Sequence, residues 1–268
     1  MQHPTAVIEA GVDLGADVEV GPFAYLAAGA RIGDRCRIGP HATVLGSVRL
    51  GPDCRVHAGA VLGDLPQDLA FGGGESEVLI GAGCVLREGV TIHRGTKPGT
   101  ATEIGDGCYL MAFSHCAHNV RLGQRVIVAN GALLAGYVEV GDRAFISGCV
   151  AVHQFTRVGR LAMVAGGAMV SKDVPPFCTL RSAALNRIGG LNVVGLRRAG
   201  LEAPQRAEIR RAFKLLFRSG LGSRDAAAEI RRQFAAGPAL ELAAFVESSK
   251  RGICRMRGEG AEDGEADE

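Results

Sequence analysis

The run Ala24-Tyr25-Leu26-Ala27-Ala28-Gly29-Ala30-Arg31-Ile32-Gly33-Asp34-Arg35-Cys36-Arg37-Ile38-Gly39-Pro40-His41-Ala42-Thr43-Val44 carries one pattern every six residues. An aliphatic residue stands at 26, 32, 38 and 44, and a small one precedes each by two, at Ala24, Ala30, Cys36 and Ala42. Stepped outward from Ile8 to Val170, the series meets Ile, Leu or Val at 24 of 28 positions, the exceptions being Asp68, Gly74, Pro98 and Cys116. A fixed period of this kind marks a repeat architecture. One strand side per hexapeptide and three sides to a coil give eighteen residues per turn, with coils about 4.8 Å apart joined by parallel-strand hydrogen bonds. Glycine often follows the aliphatic, as at Gly15, Gly21, Gly33, Gly39 and Gly51. There it is expected to supply the permissive φ of a turn.

A triangular prism with six-residue sides resembles the left-handed parallel β-helix, and its hand is taken from that resemblance. The expected fold is all-β over residues 1–174, followed by a C-terminal α-helical cap over 175–255. Asp68, Gly74 and Pro98 mark two insertions near 64–77 and 94–103, rich in Gly and Pro. A solenoid places such insertions on a working face. The period stops at Asp173-Val174-Pro175-Pro176. Beyond it Ile209, Phe213, Leu216 and Phe217 share one helical face, and Ile230, Phe234, Leu242, Phe245 and Val246 mark later helices. A helical cap covers the strand edges and apolar surface that a solenoid end leaves open.

Thirty-nine glycines, 5% aromatics and no Trp suit thin repetitive β structure. No run of about 18 apolar residues predicts a transmembrane segment, and no signal peptide is expected. Cys36, Cys54, Cys84 and Cys108 fall on one repeat position, which makes them small core fillers. A reducing, cytoplasmic setting is expected. The net charge of +2 is uneven: residues 256–268 hold six acids against Arg257, so the body before them carries +7. Such an acidic tail reads as disordered. The basic body could attract an acidic partner, and nucleic acid is not expected.

His118, Gly136 and Gln154 are spaced by eighteen and so stack in one column on consecutive coils. His153 lies in the adjoining column, His115 just before His118, and His93 at the edge of the second insertion. A neutral imidazole can act as a general base near pH 7. Three imidazoles could instead hold zinc, as in certain trimeric β-helix carbonic anhydrases. The His115–His118 spacing of three does not match that family, and no metal is expected.

The segments Val90-Thr91-Ile92-His93-Arg94-Gly95-Thr96, His115-Cys116-Ala117-His118, Ala151-Val152-His153-Gln154-Phe155 and Asp173-Val174-Pro175-Pro176 resemble the UDP-N-acetylglucosamine O-acyltransferases of lipid A biosynthesis. So do Pro66-Gln67-Asp68-Leu69 in the first insertion and Leu191-Asn192-Val193-Val194-Gly195-Leu196-Arg197-Arg198 entering the cap. The resemblance spans residues 3 to about 255. It implies transfer of a 3-hydroxyacyl chain from a phosphopantetheine-linked acyl carrier protein to the 3-hydroxyl of UDP-N-acetylglucosamine by a homotrimer, with no further cofactor.

By the same resemblance His118 is the base and the Gly136 backbone N–H the oxyanion donor. Gln67, Asp68, His93, His115, His153 and Gln154 hold sugar, phosphate or the hydroxyacyl group. Asn192 and Arg198 contact the nucleotide. Gly166 matches the position whose side chain can end the acyl groove, as a hydrocarbon ruler; a glycine projects nothing there, so the groove is expected to run on and to take a long chain. Arg218, with Arg210, Arg211 and Lys214, could meet the acidic carrier protein. The chain departs from the family pattern at Asn119, where an aspartate often orients the base, and at Ala70, Tyr137 and Val194. Other hexapeptide acyltransferases, N-acylating or coenzyme A-dependent, are the competing readings. The N-acylating one normally adds an N-terminal nucleotide-binding domain, and the other lacks these insertions and this cap.

Overall fold

Each hexapeptide makes one side of a triangular prism. The structure, a computed structural model, describes residues 1–182 and 185–256; all of the acidic tail but Met256 lies outside the described residues. Most strands are two residues long, such as Arg31–Ile32, Arg37–Ile38 and Thr43–Val44. They assemble into three sheets of nine, eight and ten strands among the described residues. The first begins at Val7–Ile8, the second at Asp13–Leu14 and the third at Glu19–Val20. Where no insertion intervenes, each residue pairs in parallel with the one eighteen ahead, as Arg31 with Arg49 and His115 with Leu133. The fold is the left-handed parallel β-helix.

The aliphatic of each hexapeptide points inward, and Leu26, Leu62, Leu86, Leu110, Leu134 and Ile146 are fully buried. Burying such a side chain contributes ~1.5–3 kcal/mol. The small position two residues earlier is buried as well, from Val18 and Ala24 up to Ala168. All eight cysteines are free thiols. Cys36, Cys54, Cys84 and Cys108 each set Sγ 3.1–3.2 Å from a glycine carbonyl of the next coil.

The glycines after the aliphatics do a different job from the one expected. Positive φ falls two residues later, on Asp17, Phe23, Arg35, His41 and Asp53, at +54° or more. Gly33 itself is not in that region. A Cβ there would lie 2.6 Å from the backbone nitrogen of Pro52 in the next coil. The position needs glycine because successive coils close on each other at the corner, and the left-handed residue is free to carry a side chain because it faces solvent.

The two insertions occupy 65–76, between Val61–Asp64 and Glu77–Ile80, and 94–100, between Thr91–His93 and Ala101–Ile104. Both leave the first sheet and enter the second, so they emerge on one corner from consecutive coils. They are knitted together: Gly99 N donates to Glu75 O at 2.9 Å and Glu77 N to Thr100 O at 3.0 Å. The Arg94 guanidinium stands 5.5 Å over the Phe71 ring.

The prism runs past the boundary expected at 174. Cys178–Leu180 adds a parallel strand to the third sheet, pairing Val164 with Leu180, and Ile188–Leu191 closes it antiparallel. The last coil advances sixteen residues rather than eighteen, which takes it out of the six-residue period and hides it behind Pro175-Pro176. Among the described residues four helices follow: α1 (Val193–Arg198), α2 (Ala203–Arg218), α3 (Ser223–Gln233) and α4 (Pro238–Glu247). Ala212, Leu216, Ile230, Leu242 and Val246 form a core shared by α2, α3 and α4, Leu196 of α1 packs with Leu161, Phe177 and Ile209, and Phe213 joins the core of the prism. Asp173, 1% exposed, ties the cap down by accepting from Arg157 N and Nε and from Ser249 Oγ.

Candidate active site

His118 and Gly136 stand two residues after an inward aliphatic or cysteine, on the corner from which the insertions emerge one and two coils below His118. Here the structure gives Gly136 a specific reason to be glycine. A Cβ at Gly136 would stand 2.5 Å from His118 Nε2 and 3.0 Å from Nδ1, so the imidazole lies flat in the space a side chain would fill. His118 is 8% exposed.

The amide at this repeat position faces outward. On the neighbouring corner the equivalent N–H groups of Ala16, Ala82 and Gln124 donate at 2.8 Å to the carboxylates of Asp34, Asp106 and Asp142. An N–H at this place in the coil can therefore donate to an anionic oxygen. The Gly136 N–H finds no acceptor among the described residues, and it lies beside the imidazole. An imidazole next to an outward backbone donor is an arrangement that can serve acyl transfer, the ring taking a proton and the donor meeting an oxyanion.

Asp68 reaches across from the first insertion and sets Oδ2 3.8 Å from His118 Nε2. Asn119 occupies the other side of the ring, with Oδ1 3.3 Å from Nδ1. That oxygen also accepts from Thr96 N and Thr96 Oγ1, both at 3.0 Å. Tyr137 places its ring edge-on to His118, with centroids 5.3 Å apart, and stacks on Phe155 at 4.9 Å. His93 and His115 meet edge to face at 4.8 Å. The Thr91 hydroxyl lies 2.7 Å from His115 Nδ1, while the buried His93 Nδ1 has no partner among the described residues.

Burial lowers the pKa of both these histidines. Burial pushes His115 down to about 4, with help from His93 and His118. Burial also lowers His93; Asp64 opposes and His118 adds to the lowering. Both rings are thus neutral at pH 7, able to exchange hydrogen bonds with a polar ligand without bringing charge to His118. Among the described residues no three His, Cys, Asp or Glu side chains are arranged to hold a metal ion, and none of the helices is long and apolar enough to cross a membrane.

The structure thus brings together Asp68, His93, His115, His118 and Gly136 from the residues singled out in the sequence. Gln67 is exposed on the same insertion. His153 and Gln154 are exposed further up the column, with His153 Nδ1 3.0 Å from the Gln154 carbonyl. Gly166 lies on another corner, between the third and first sheets, where a Cβ would make only ordinary contact, 3.4 Å from Gly148 O. Asn192 caps α1, accepting from Gly195 N and donating to Leu161 O, each at 2.9 Å. One amide proton and one lone pair remain on it for a ligand. Arg198 is exposed in the last turn of α1. Sequence reasoning passed over Thr91 and Thr96, although both sit inside a motif that it quoted; their hydroxyls touch His115 and Asn119.

A family model described as UDP N-acetylglucosamine O-acyltransferase, domain 2, matches residues 173–254, and a hexapeptide transferase model matches 29–64 and 101–136. An acyl-[acyl-carrier-protein]–UDP-N-acetylglucosamine O-acyltransferase of Alkalilimnicola ehrlichii is 48% identical, covering 94% of this chain and 98% of that one. A protein of the same name from Campylobacter concisus is 40% identical over 96% of this chain and 98% of that one. Among solved structures, the UDP-N-acetylglucosamine acyltransferase of Bacteroides fragilis superposes with a TM-score of 0.91 at 37% identity, over 94% of this chain and 99% of that one. That of Campylobacter jejuni gives 0.89 at 37% identity, over 96% of this chain and 100% of its own. With 48% and 40% identity and near-complete coverage in both directions, the chain belongs to the acyl-[acyl-carrier-protein]–UDP-N-acetylglucosamine O-acyltransferase family.

Proposed function

We propose that this chain transfers a 3-hydroxyacyl group from the thioester of acyl carrier protein to the 3-hydroxyl of UDP-N-acetylglucosamine, the first step of lipid A biosynthesis. The observation that carries the reading is the His118 ring seated on Gly136, beside an outward amide that has no protein acceptor among the described residues. His118 Nε2 takes the proton of the sugar hydroxyl, and the oxygen attacks the thioester carbonyl. The tetrahedral oxyanion accepts from Gly136 N–H; one such donor lowers the barrier by about 3 kcal/mol. Collapse expels the carrier thiolate, which takes the proton back from His118.

Asp68, on the Nε2 side of the ring, meets the sugar with Gln67. His93, His115, His153 and Gln154 bind sugar hydroxyls, phosphate or the acyl hydroxyl, and Asn192 and Arg198 bind the nucleotide from the cap. The setting is cytoplasmic, where acyl carrier protein supplies the chain, and the basic helix α2 with Arg210, Arg211, Lys214 and Arg218 meets that acidic carrier.

The working form is a homotrimer. Its support is the contrast among the three prism sides. The second sheet shows a charged ladder, with Arg31 beside Arg49, Arg49 against Glu77 at 3.1 Å and Arg121 against Glu103 at 3.6 Å. The upper first sheet shows Leu133, Ala151 and Met169, and the upper third sheet Val85, Tyr109, Ile127, Phe145 and Met163. Leu133 and Met169 are 50% and 61% exposed in the single chain. Two apolar sides and one charged side suit a ring of three prisms, each packing one apolar side on each neighbour. Gly166 then lines the seam that receives the acyl tail.

Mass spectrometry of products from UDP-N-acetylglucosamine with hydroxyacyl carrier proteins and hydroxyacyl coenzyme A tests the reading. The expected product is a monoester, formed from the carrier-protein donors, by a species that light scattering sizes as three chains. No ester, or equal use of coenzyme A donors by a single 27.9 kDa chain, overturns it.

A further inference from the structure

We infer that Thr96 and Tyr137 are positioning residues for the base, acting through the carboxamide of Asn119 to hold His118 with its proton on Nδ1 and its lone pair on Nε2. The inference rests on His118 as the base, and goes on to say how this chain orients it without a carboxylate at Asn119.

Hydrogen-bond direction carries the argument. A backbone N–H can only donate, so the 3.0 Å contact from Thr96 N fixes which end of the Asn119 side chain is oxygen. The same Oδ1 lies 3.3 Å from His118 Nδ1, and an oxygen there calls for an N–H on the ring. The neutral imidazole has one proton; with Nδ1 holding it, Nε2 is left to act as base. The Thr96 hydroxyl spends its single proton on Asn119 Oδ1 at 3.0 Å, so at 2.8 Å from Tyr137 Oη it is the acceptor and the phenol donates. The order is Tyr137 to Thr96 to Asn119, with His118 donating to the same oxygen.

The frame around this relay is fixed. Asn119 adopts φ +58°, and its N–H donates to Thr102 Oγ1 at 2.8 Å. That hydroxyl in turn donates to His93 O at 2.6 Å. Tyr137 is held by stacking on Phe155. The second insertion thus does more than border the site: it supplies the donors that set the carboxamide.

An amide oxygen stabilises the imidazolium less than a carboxylate does, because it carries only a partial charge. The other groups facing His118 are the Asp68 carboxylate on the Nε2 side, His93 and His115, both neutral at pH 7, and the Tyr137 ring edge. Asp68 is thus the one full charge beside the ring among the described residues, and a second at position 119 would favour the imidazolium further.

The test is the pH dependence of kcat and kcat/KM for the full-length trimer, with UDP-N-acetylglucosamine and a hydroxyacyl carrier protein as substrates. Asn119→Asp should move the acidic limb up by about one pH unit. Thr96→Val, which keeps the backbone donor, and Tyr137→Phe, which keeps the stacking ring, should each lower kcat about five-fold, as expected for a lost hydrogen bond of ~1 kcal/mol, with KM for the sugar nucleotide little changed. The double variant should cost no more than Thr96→Val alone, since Tyr137 acts through Thr96, and Thr96→Ser should restore the wild-type rate. An unmoved limb in Asn119→Asp, or additive losses confined to KM, overturns the relay. His118→Ala run alongside separates the two ideas: an active His118→Ala protein removes the base reading itself, whereas an inactive one with silent relay variants removes only the relay.

Discussion

Two corners of one prism share a backbone and diverge at the residue two past each inward aliphatic. Between the second and third sheets that position carries Asp34, Asp106 and Asp142, each bonding the amide one coil below. Between the first and second sheets, on the coils above the insertions, it carries His118 and then Gly136. The first corner satisfies three outward amides from within the chain, those of Ala16, Ala82 and Gln124, and the second leaves that of Gly136 open beside an imidazole. The comparison teaches that a corner of the β-helix offers an outward backbone donor, which an aspartate one coil above can bond and which Gln154, one coil above Gly136, does not.

The change that strikes hardest at this contrast is Gly136→Ala. The methyl group would occupy the space of the His118 ring, and we expect turnover to fall by roughly 10² or more, read as the initial rate of ester formation. Near wild-type turnover in the Gly136→Ala protein would mean that ring and amide do not work together.

Gly166 shares the repeat position of Gly136 but has room for a side chain. Its role is a proposal of length selection. Gly166→Met should shift donor preference from about fourteen carbons to about ten, since four methylenes at ~0.8 kcal/mol each amount to roughly 3 kcal/mol. Competition between the two donors reads it directly; a wild type that already prefers ten carbons removes Gly166 as the ruler.

His115 gives a pH test of the crowded corner. Its folded-state pKa of about 4 lies below the ordinary 6.5, so the unfolded chain takes up the proton first. The stability tied to the neutral ring is complete above about pH 6.5 and is lost as pH falls toward 4. Thermal unfolding midpoints should decline across that window, and His115→Gln should flatten part of the decline. Equal slopes in the two proteins would show the ring to be unstrained by burial.

The smallest effect belongs to the acidic corner. Asp34→Ala removes the acceptor for Ala16 N at an exposed site. We expect Tm to fall by no more than about 2–4 °C and the acyl-transfer rate to stay as it was. A large loss of activity would contradict the division between a structural corner and a working one.

Much of this contrast was legible before any coordinates. The six-residue series fixed which residues point inward, and the spacing of eighteen put His118 beneath Gly136, because a solenoid turns sequence distance into vertical distance. The helical faces of the cap followed from the three- and four-residue spacing of Ile209, Phe213 and Leu216. What stayed hidden depends on direction rather than spacing. A glycine after each aliphatic suggests positive φ, but close approach of the next coil is a property of two stacked stretches of backbone and leaves no mark in one hexapeptide. The final strand at Cys178–Leu180 was missed because a sixteen-residue coil breaks the period that reveals the others. Asp68 beside His118 depends on how a twelve-residue insertion folds back, and the grip of Thr96 on Asn119 on which end of an amide faces a backbone donor.

The proposed chemistry centres on His118. Measured side by side on wild type and His118→Ala, the turnover of UDP-N-acetylglucosamine and its equilibrium affinity by calorimetry separate chemistry from binding. We expect turnover to drop by roughly 10²–10⁴ with affinity little changed, as for loss of a general base. Retained turnover with weakened affinity would make His118 a substrate contact, and an apo-protein that regains activity only with zinc bound at His118 would replace the base by a metal site.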